Sequence, residues 1–186
     1  MSALYLMGRR VLTLVSAALL LASVSVSTAV ADDNTINIYV TGGKKVTVEL
    51  LADKAPKHVE RVKQLVKDRY YDGVPFHRVI PNFMAQTGDH TGTGRGGSEY
   101  PALKAEFTQT PFKRGTVGAA RTSNPNSANS QFFICFTDDS CKHLQGQYTV
   151  WGQVTDGMEH IDAVTATGQG TADKMEKVRF ANEAQS

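Results

Sequence analysis

Short apolar segments, separated by clusters of glycine, proline and asparagine, recur along most of this chain and restrict what it can fold into. Clusters of these residues between apolar segments are typical of strands joined by tight turns. Only two stretches have the apolar spacing of a helix. This excludes alternating strand–helix–strand units and favours a mainly β barrel or sandwich. The predicted strands include Phe76–Ile80, Gly115–Ala120, Gln131–Phe136 and Tyr148–Val154.

A hairpin is predicted near the start of this β-rich region. Ile36–Val40 is a strand-like run, Thr41–Lys44 carries a turn signal, and apolar residues then alternate with polar ones from Val46 to Leu50. Alternation of this kind is typical of a strand with one buried face. A closing strand is predicted over Lys177–Ala181.

The first helix is predicted to begin near Pro56, because proline lacks an N–H and is harmless in the first turn of a helix. It ends before the turn-forming residues Tyr70–Gly73, and a second short helix is predicted over Met158–Val164. The apolar face of the first helix consists of Val59, Val62, Leu65 and Val66.

The amino-terminal segment differs from the rest of the chain. The pair Arg9–Arg10 precedes the apolar run Val11–Leu21, and small residues follow as far as Ala31. This is the pattern of a secretory signal peptide, so we predict a signal peptide over residues 1–31 and a mature domain over residues 32–186. Retention as a membrane anchor is the alternative, although a spanning helix needs about 20 apolar residues and this run is much shorter.

Charge gives no indication of a nucleic-acid partner. The chain has 20 Lys+Arg against 18 Asp+Glu, a net charge of +2. Both excess charges belong to the arginines of the predicted signal peptide, so the mature domain holds 18 residues of each sign. A domain without net charge gives no reason to predict a nucleic-acid partner.

Two cysteines, Cys135 and Cys141, lie in the predicted mature domain. Export to an oxidising compartment permits a disulfide between them, which would stabilise the fold by roughly 2 kcal/mol. Two free thiols are the alternative, because Cys135 lies in an apolar strand and nearness in sequence does not ensure that two side chains face each other. The sequence leaves both arrangements open.

Several familiar catalytic motifs are missing, since the sequence contains no G-x-S-x-G, H-E-x-x-H or C-x-x-C. No metal site and no cofactor are expected. Gly92–Gly97 matches G-x-G-x-x-G, but a dinucleotide-binding fold places that motif between a strand and a helix. Here Pro101 opposes a helix, so we predict a tight surface loop instead.

An arginine among apolar residues is the first candidate for chemistry. Arg78 lies in a predicted strand, shortly before Phe83 and Met84. Together with Gln86, these residues would form a small apolar pocket that contains one cation and one amide. The alternative is that the aromatic residues belong to the core and that Arg78 pairs with a surface carboxylate.

Three motifs taken together resemble the cyclophilin family of peptidyl-prolyl cis-trans isomerases. They are FHRVIPNFMAQTGD, the glycine-rich GTGRGGS, and NSQFFICF followed by YTVWGQV. The similarity runs from about Ile36 to Ala181. The resemblance implies an eight-stranded antiparallel closed β-barrel capped by two α-helices. It also implies an enzyme that isomerises X–Pro bonds of proline-containing polypeptides without a metal or cofactor.

The same resemblance implies which residues form the site. The catalytic arginine falls on Arg78. Two positions differ from many eukaryotic members, which carry Trp in place of His143 and His in place of Tyr148. The residues that would bind the substrate are Phe83, Met84, Gln86, Ala120, Arg121, Thr122, Gln131, Phe133, His143, Leu144 and Tyr148.

Tyr148 is typical of bacterial members and, together with the signal peptide, favours a periplasmic isomerase that assists the folding of exported proteins. A secreted enzyme and one anchored by an uncleaved leader are the alternatives. We expect a monomer with neither stable membrane insertion nor nucleic-acid binding. Two other functions stay open: a module that binds proline-containing segments without necessary turnover, and a barrel that carries a small ligand.

Overall fold

The computed structural model describes residues 33–168 and 171–183, so the predicted signal peptide, residues 1–31, lies outside the described residues. The described chain forms a mainly β structure with two α-helices, α1 (Pro56–Lys67) and α2 (Met158–Asp162), and a 3-10 turn at Lys142–Leu144. Its strands are β1 (Thr35–Val40), β2 (Lys44–Leu50), β3 (Val74–Pro75), β4 (Arg78–Ile80), β5 (Met84–Thr87), β6 (Thr116–Ala119), β7 (Phe132–Cys135), β8 (Val150–Asp156) and β9 (Lys174–Phe180).

The strands form one curled antiparallel sheet in the order β3-β9-β1-β2-β8-β6-β7-β5-β4. The mainly β fold with two helices agrees with the prediction, but the sheet has nine strands rather than eight and is a half-barrel rather than a closed barrel. Within the described residues, no ladder joins the two end strands, β3 and β4.

The segment around the predicted strand Phe76–Ile80 explains this difference: only Arg78–Ile80 of that strand joins the sheet, and the residues just before it, Val74–Pro75, form a strand at the other end. Val74 and Pro75 pair with β9, whereas Arg78 and the residues after it pair with β5. Phe76 and His77 lie between the two strands and connect them covalently. The chain itself therefore crosses the gap where a closed barrel would have a hydrogen-bonded ladder.

The predicted hairpin is confirmed. Strands β1 and β2 pair from Thr35 opposite Glu49 to Val40 opposite Lys44. Between them, Gly42 and Gly43 have φ angles of +82° and +70°, which glycine adopts without steric cost. The alternating apolar residues of both strands point into the main core.

Both predicted helices are present, and α1 begins at Pro56 with its apolar face buried as expected. The last strand, β9, begins at Lys174, earlier than predicted. Strand β5 and the 3-10 turn were not predicted, because β5 is short and nearly buried throughout and so lacks the alternation that identifies a strand. In the part of the chain that the structure describes, no helix is long and apolar enough to cross a membrane.

Strand β7 separates two apolar clusters, since successive side chains of a strand point to opposite faces. Phe132 and Ile134 belong to the main core, which fills the inside of the sheet. Phe133 and Cys135 belong to a smaller cluster on the other face. The smaller cluster also contains Met84, Phe112, Cys141 and Val150.

Cys135 and Cys141 form a disulfide with their Cα atoms 6.1 Å apart. Both residues are fully buried in the smaller cluster. Because Cys141 directly precedes the 3-10 turn Lys142–Leu144, the disulfide connects that turn to β7. Of the two arrangements that the sequence left open, the structure contains the disulfide.

Helix α1 is capped by a residue from a distant loop. Ala55, the residue before the helix, offers no side-chain hydrogen bond. Instead, the Glu106 carboxylate accepts hydrogen bonds from the backbone N–H groups of Lys57 (3.0 Å) and His58 (2.9 Å), and lies 2.6 Å from His58 Nδ1. Those N–H groups have no partner within a helix, so Glu106 satisfies them.

The contact between His58 and Glu106 makes the stability of the fold depend on pH. The His58 side chain is 3% exposed, and its Nε2 has no hydrogen-bond partner among the described residues. Burial therefore lowers the pKa of His58, although the Glu106 carboxylate opposes the effect. Burial alone would raise the pKa of Glu106, but the hydrogen bonds from His58 and from two backbone N–H groups hold that pKa below its usual value.

We predict that acid destabilises the fold through His58. Its pKa is lower in the folded chain than the value of about 6.5 in the unfolded chain. The unfolded state therefore takes up more protons below that pH, and the free energy of unfolding falls as pH falls. Glu106, whose pKa is also lowered by folding, adds a further loss at more acidic pH.

The measurement is thermal unfolding across the range in which histidine titrates, from about pH 7.5 to about pH 5.5. In His58→Gln, which cannot titrate there, the melting temperature should depend less on pH than in the wild type. His160→Gln, which changes a 31% exposed side chain on α2, serves as the control and should keep the wild-type dependence. Parallel curves for wild type and His58→Gln would contradict the prediction.

Candidate active site

Strand register places the central residues of the site in one row. Arg78 on β4 pairs with Gln86 on β5, Gln86 pairs with Phe133 on β7, and Phe133 pairs with Gly118 on β6. Directly paired residues project from the same face of a sheet. The arginine, the amide and the phenyl ring therefore lie side by side, although far apart in sequence.

A cavity of about 290 Å³ opens beside this row. It brings together every residue predicted for the site except Thr122 and Gln131. Its lining consists of Arg78, Phe83, Met84, Gln86, Ala120, Arg121, Phe133, His143, Leu144 and Tyr148. Thr122 and Gln131 line an adjoining groove, which shares Gln86 with the cavity.

The floor of the cavity is apolar and closely packed. Met84 and Phe133 are 1% and 4% exposed. The Phe133 ring stacks on Phe112 at 5.9 Å and meets Tyr148 edge-to-face at 5.7 Å between centroids. Such a floor suits a small apolar ring and offers it no hydrogen-bonding group.

Gly118 makes room for the Phe133 ring. A Cβ atom built at Gly118 would lie 2.5 Å from Phe133 Cζ and 3.0 Å from a carbon of Phe112. Any side chain at this position would displace the floor. Neither Gly118 nor Phe112 was predicted from the sequence to be part of the site. A glycine inside a strand is the available signal, because it marks close approach of another group.

The rim comes from loops. The 3-10 turn supplies His143 and Leu144, and the His143 ring lies 5.4 Å from that of Phe83. Arg121 lies with its guanidinium 4.3 Å from the centre of the Tyr148 ring and donates to the carbonyls of Gln147 and Thr122. These contacts hold Arg121 at the edge of the cavity.

Arg78 is exposed at the mouth of the cavity, where its Nη1 donates to Gln86 Oε1 at 3.3 Å. No salt bridge joins Arg78 to a carboxylate in residues 33–168 and 171–183. The pairing with a surface carboxylate, which the sequence left open, is therefore not found there. Arg78 thus places a guanidinium, a cation with several N–H donors, beside the apolar floor.

The glycine-rich segment Gly92–Gly97 is a loop next to the groove, as predicted. It is not followed by a helix, so the geometry of a dinucleotide site is missing. Across the described ranges, no three His, Cys, Asp or Glu side chains lie close enough together to hold a metal ion.

Comparison with protein families matches residues 35–182 to the family "Cyclophilin type peptidyl-prolyl cis-trans isomerase/CLD". A protein of Brucella suis, described as a probable peptidyl-prolyl cis-trans isomerase, is 49% identical over 158 residues, which cover 79% of each chain. Peptidyl-prolyl cis-trans isomerase-like 3 of Mus musculus is 42% identical over 121 residues, covering 63% of this chain and 73% of its own.

Solved structures show the same fold. The cyclophilin AquaCyp293 of Hirschia baltica superimposes with a TM-score of 0.71 at 25% identity, covering 82% of this chain and 76% of its own. A cyclophilin-type isomerase of Cryptosporidium parvum, crystallised in the presence of the dipeptide Ala-Pro, gives a TM-score of 0.72 at 25% identity, with coverage of 80% and 99%.

Proposed function

Because this chain belongs to the cyclophilin-type peptidyl-prolyl cis-trans isomerase family, we propose that it isomerises X–Pro bonds of exported polypeptides and that Arg78 stabilises the twisted amide. The family assignment makes the protein an enzyme of this class. The row of Arg78, Gln86 and Phe133 beside the apolar cavity is the observation that supports the proposed mechanism.

The reaction requires rotation about a bond with partial double-bond character. The barrier is roughly 18–20 kcal/mol, because the amide loses its resonance at the midpoint. In the twisted amide the lone pair returns to the proline nitrogen, which then accepts a hydrogen bond. Arg78 would donate an N–H to this nitrogen, and that bond strengthens only as the amide twists, which is the condition for lowering a barrier.

Arg78 alone does not account for catalysis of the size expected. A hydrogen bond from a charged donor contributes roughly 1.5–3 kcal/mol, whereas a ~10⁴-fold acceleration needs about 5.5 kcal/mol. We assign the remainder to orientation: the floor of Met84 and Phe133 would hold the proline ring while the peptide chain is free to rotate. Gln86 would contribute by holding Arg78 in place.

The proposed substrates are proline-containing polypeptides. The Cryptosporidium structure was obtained in the presence of Ala-Pro, which supports a proline residue as the group bound by proteins of this fold. The cavity of about 290 Å³ beside Arg78 is apolar at its floor, as a pyrrolidine ring requires. The adjoining groove, lined by Thr122 and Gln131, would receive the chain on one side of the proline.

Export is the second element of the proposal. The leader over residues 1–31 has the pattern of a signal peptide, and the Cys135–Cys141 disulfide supports the same location, because disulfides persist in oxidising compartments such as the periplasm. A folding catalyst there would act on newly exported chains, in which X–Pro isomerisation takes tens to hundreds of seconds without catalysis.

For the arginine, we predict that Arg78→Ala lowers kcat/KM on an Ala-Pro peptide at least about tenfold, the loss expected when a charge-assisted hydrogen bond is removed. Arg78→Lys should also be impaired, because an ammonium cannot reproduce the planar guanidinium. The assay is NMR exchange between the cis and trans peptide. Arg61→Ala on α1 is the matched control and should keep full activity. Wild-type turnover in a folded Arg78→Ala variant would refute the mechanism.

For the floor, we predict that Phe133→Ala weakens binding of the Ala-Pro peptide. The substitution should also cost about 3–5 kcal/mol of stability, because the ring is buried. Phe180→Ala, in the main core, should cost a similar amount while leaving peptide affinity unchanged, so it separates stability from binding. Unchanged affinity in folded Phe133→Ala would remove this ring from the binding site.

For export, we predict that the protein recovered from expressing bacteria lies in the periplasmic fraction, begins at Asp32 and contains no free thiol. Amino-terminal sequencing, cell fractionation and thiol titration are the measurements. A chain that begins at Met1 or Met7 would contradict export by signal cleavage, and two free thiols would contradict the disulfide that supports this location. Recovery from the culture medium with Asp32 at the amino terminus would favour secretion instead.

A further inference from the structure

The glycine-rich loop is folded around a buried carboxylate. The Asp89 carboxylate accepts hydrogen bonds from the backbone N–H groups of Thr91 (2.8 Å), Gly94 (2.8 Å) and Gly96 (3.1 Å), and from the Thr91 hydroxyl (2.8 Å). A Cβ atom at Gly96 would overlap the carboxylate, so only glycine lets the backbone come this close. The loop therefore takes its shape from Asp89.

Asp89 is ionised under all physiological conditions. Burial alone would raise its pKa, but the hydrogen bonds from Thr91 and from the N–H groups of Gly96 and Gly94 lower it to about 2. Asp89 itself does not line the cavity or the groove. Its direct hydrogen bonds are with the loop.

A chain of side-chain amides connects the loop to Arg78. The carbonyl oxygens of Gly94 and Gly96 both accept hydrogen bonds from Gln131 Nε2, at 3.0 and 2.7 Å. Gln131 Oε1 accepts from Gln86 Nε2 at 2.9 Å, and Gln86 Oε1 accepts from Arg78 Nη1 at 3.3 Å. We call Gln131 and Gln86 the amide relay.

The groups at the two ends of the amide relay determine the direction in which each amide donates and accepts its hydrogen bonds. The backbone carbonyls only accept hydrogen bonds, and the guanidinium only donates them. Each amide therefore has one orientation that satisfies both of its neighbours. If the loop carbonyls moved away, Gln131 would lose the contacts that fix its orientation. Gln86 could then rotate and present its NH₂ group to Arg78. The guanidinium would repel this NH₂ group, because both groups are donors.

We infer that Asp89 is a positioning residue for isomerisation: it shapes the glycine-rich loop so that Gly94 and Gly96 orient the amide relay, which in turn holds the Arg78 guanidinium. This inference rests on the proposed function of Arg78. It also gives the G-x-G-x-x-G motif a role that does not involve a nucleotide. The oxygen and the NH₂ group of the Gln131 amide both form hydrogen bonds within the protein. The inference therefore also gives Gln131 the role of holding Arg78 in position.

Asp89→Asn tests the inference, because it keeps the size of the side chain and replaces one acceptor oxygen with an NH₂ group facing the loop. We expect kcat on an Ala-Pro peptide to fall about tenfold, the loss of roughly one charge-assisted hydrogen bond. KM should stay within about twofold, since the apolar floor is untouched. The side-chain NH₂ signals of Gln86 and Gln131 in the NMR spectrum should shift.

Asp72→Asn is the matched control. Asp72 is also a carboxylate that accepts hydrogen bonds from a backbone N–H, that of Val178, and from a guanidinium, that of Arg179, but it lies outside the cavity and the groove. This variant should melt at a lower temperature with unchanged kcat and unchanged glutamine signals. A merely structural role for Asp89 would give the same result in Asp89→Asn and would overturn the inference.

A second variant keeps the test decisive if Asp89→Asn does not fold. Gln131→Leu interrupts the amide relay but leaves the hydrogen bonds from the loop N–H groups to Asp89 in place, so it should lower kcat. Wild-type kcat in Gln131→Leu would overturn the inference. Where Asp89→Asn folds, the double variant gives a further test: Asp89→Asn should add little to the loss in kcat caused by Gln131→Leu, whereas multiplied losses would show that Asp89 acts elsewhere.

The two proposals fail in different ways. If Arg78→Ala is fully active, the proposed function of Arg78 is wrong and the relay has nothing to position. If Arg78→Ala is impaired while folded Asp89→Asn has wild-type kcat, only the positioning role of Asp89 is wrong. Measuring both variants on the same Ala-Pro peptide therefore distinguishes the outcomes.

Discussion

The register of four neighbouring strands is the constraint on which the rest of the site depends. It aligns Arg78, Gln86, Phe133 and Gly118 across β4, β5, β7 and β6. A slip of one residue in any of these ladders would turn a side chain to the opposite face of the sheet. The main core prevents such a slip, because the residues that alternate with the site residues are themselves buried inside the sheet.

Alternate residues of the same strand therefore stabilise the core and form the site. On β7, Phe132 and Ile134 fill the main core, whereas Phe133 and Cys135 form the floor of the site and the disulfide behind it. The disulfide fixes the turn that supplies Leu144 to the rim. One side of the site is therefore built on the sheet, and the disulfide joins the turn on the other side covalently to β7.

Local patterns predicted the elements but not their long-range contacts. Alternation gave the β1–β2 hairpin, and helical spacing gave α1, both confirmed by the structure. The division of Val74–Ile80 between two sheet ends depends on β9, and the cap on α1 comes from Glu106, far along the chain. Patterning alone left Arg78 undecided between a pocket and a surface ion pair. Patterning placed Phe83, Met84 and Gln86 near Arg78, but only resemblance to a family identified residues distant in sequence such as Phe133, and it did not include Gly118.

The glycine-rich loop shows why a motif has to be interpreted in its structural context. Closely spaced backbone N–H groups form a concave site for an anion, and in nucleotide-binding folds that anion is a phosphate. In this chain the N–H groups of Gly94 and Gly96 are already occupied by the Asp89 carboxylate. The same property of glycine, close approach of the backbone to a negative charge, here shapes a loop internally. The carbonyl groups of that loop then face the amide relay, so a single buried charge determines the geometry up to the edge of the cavity.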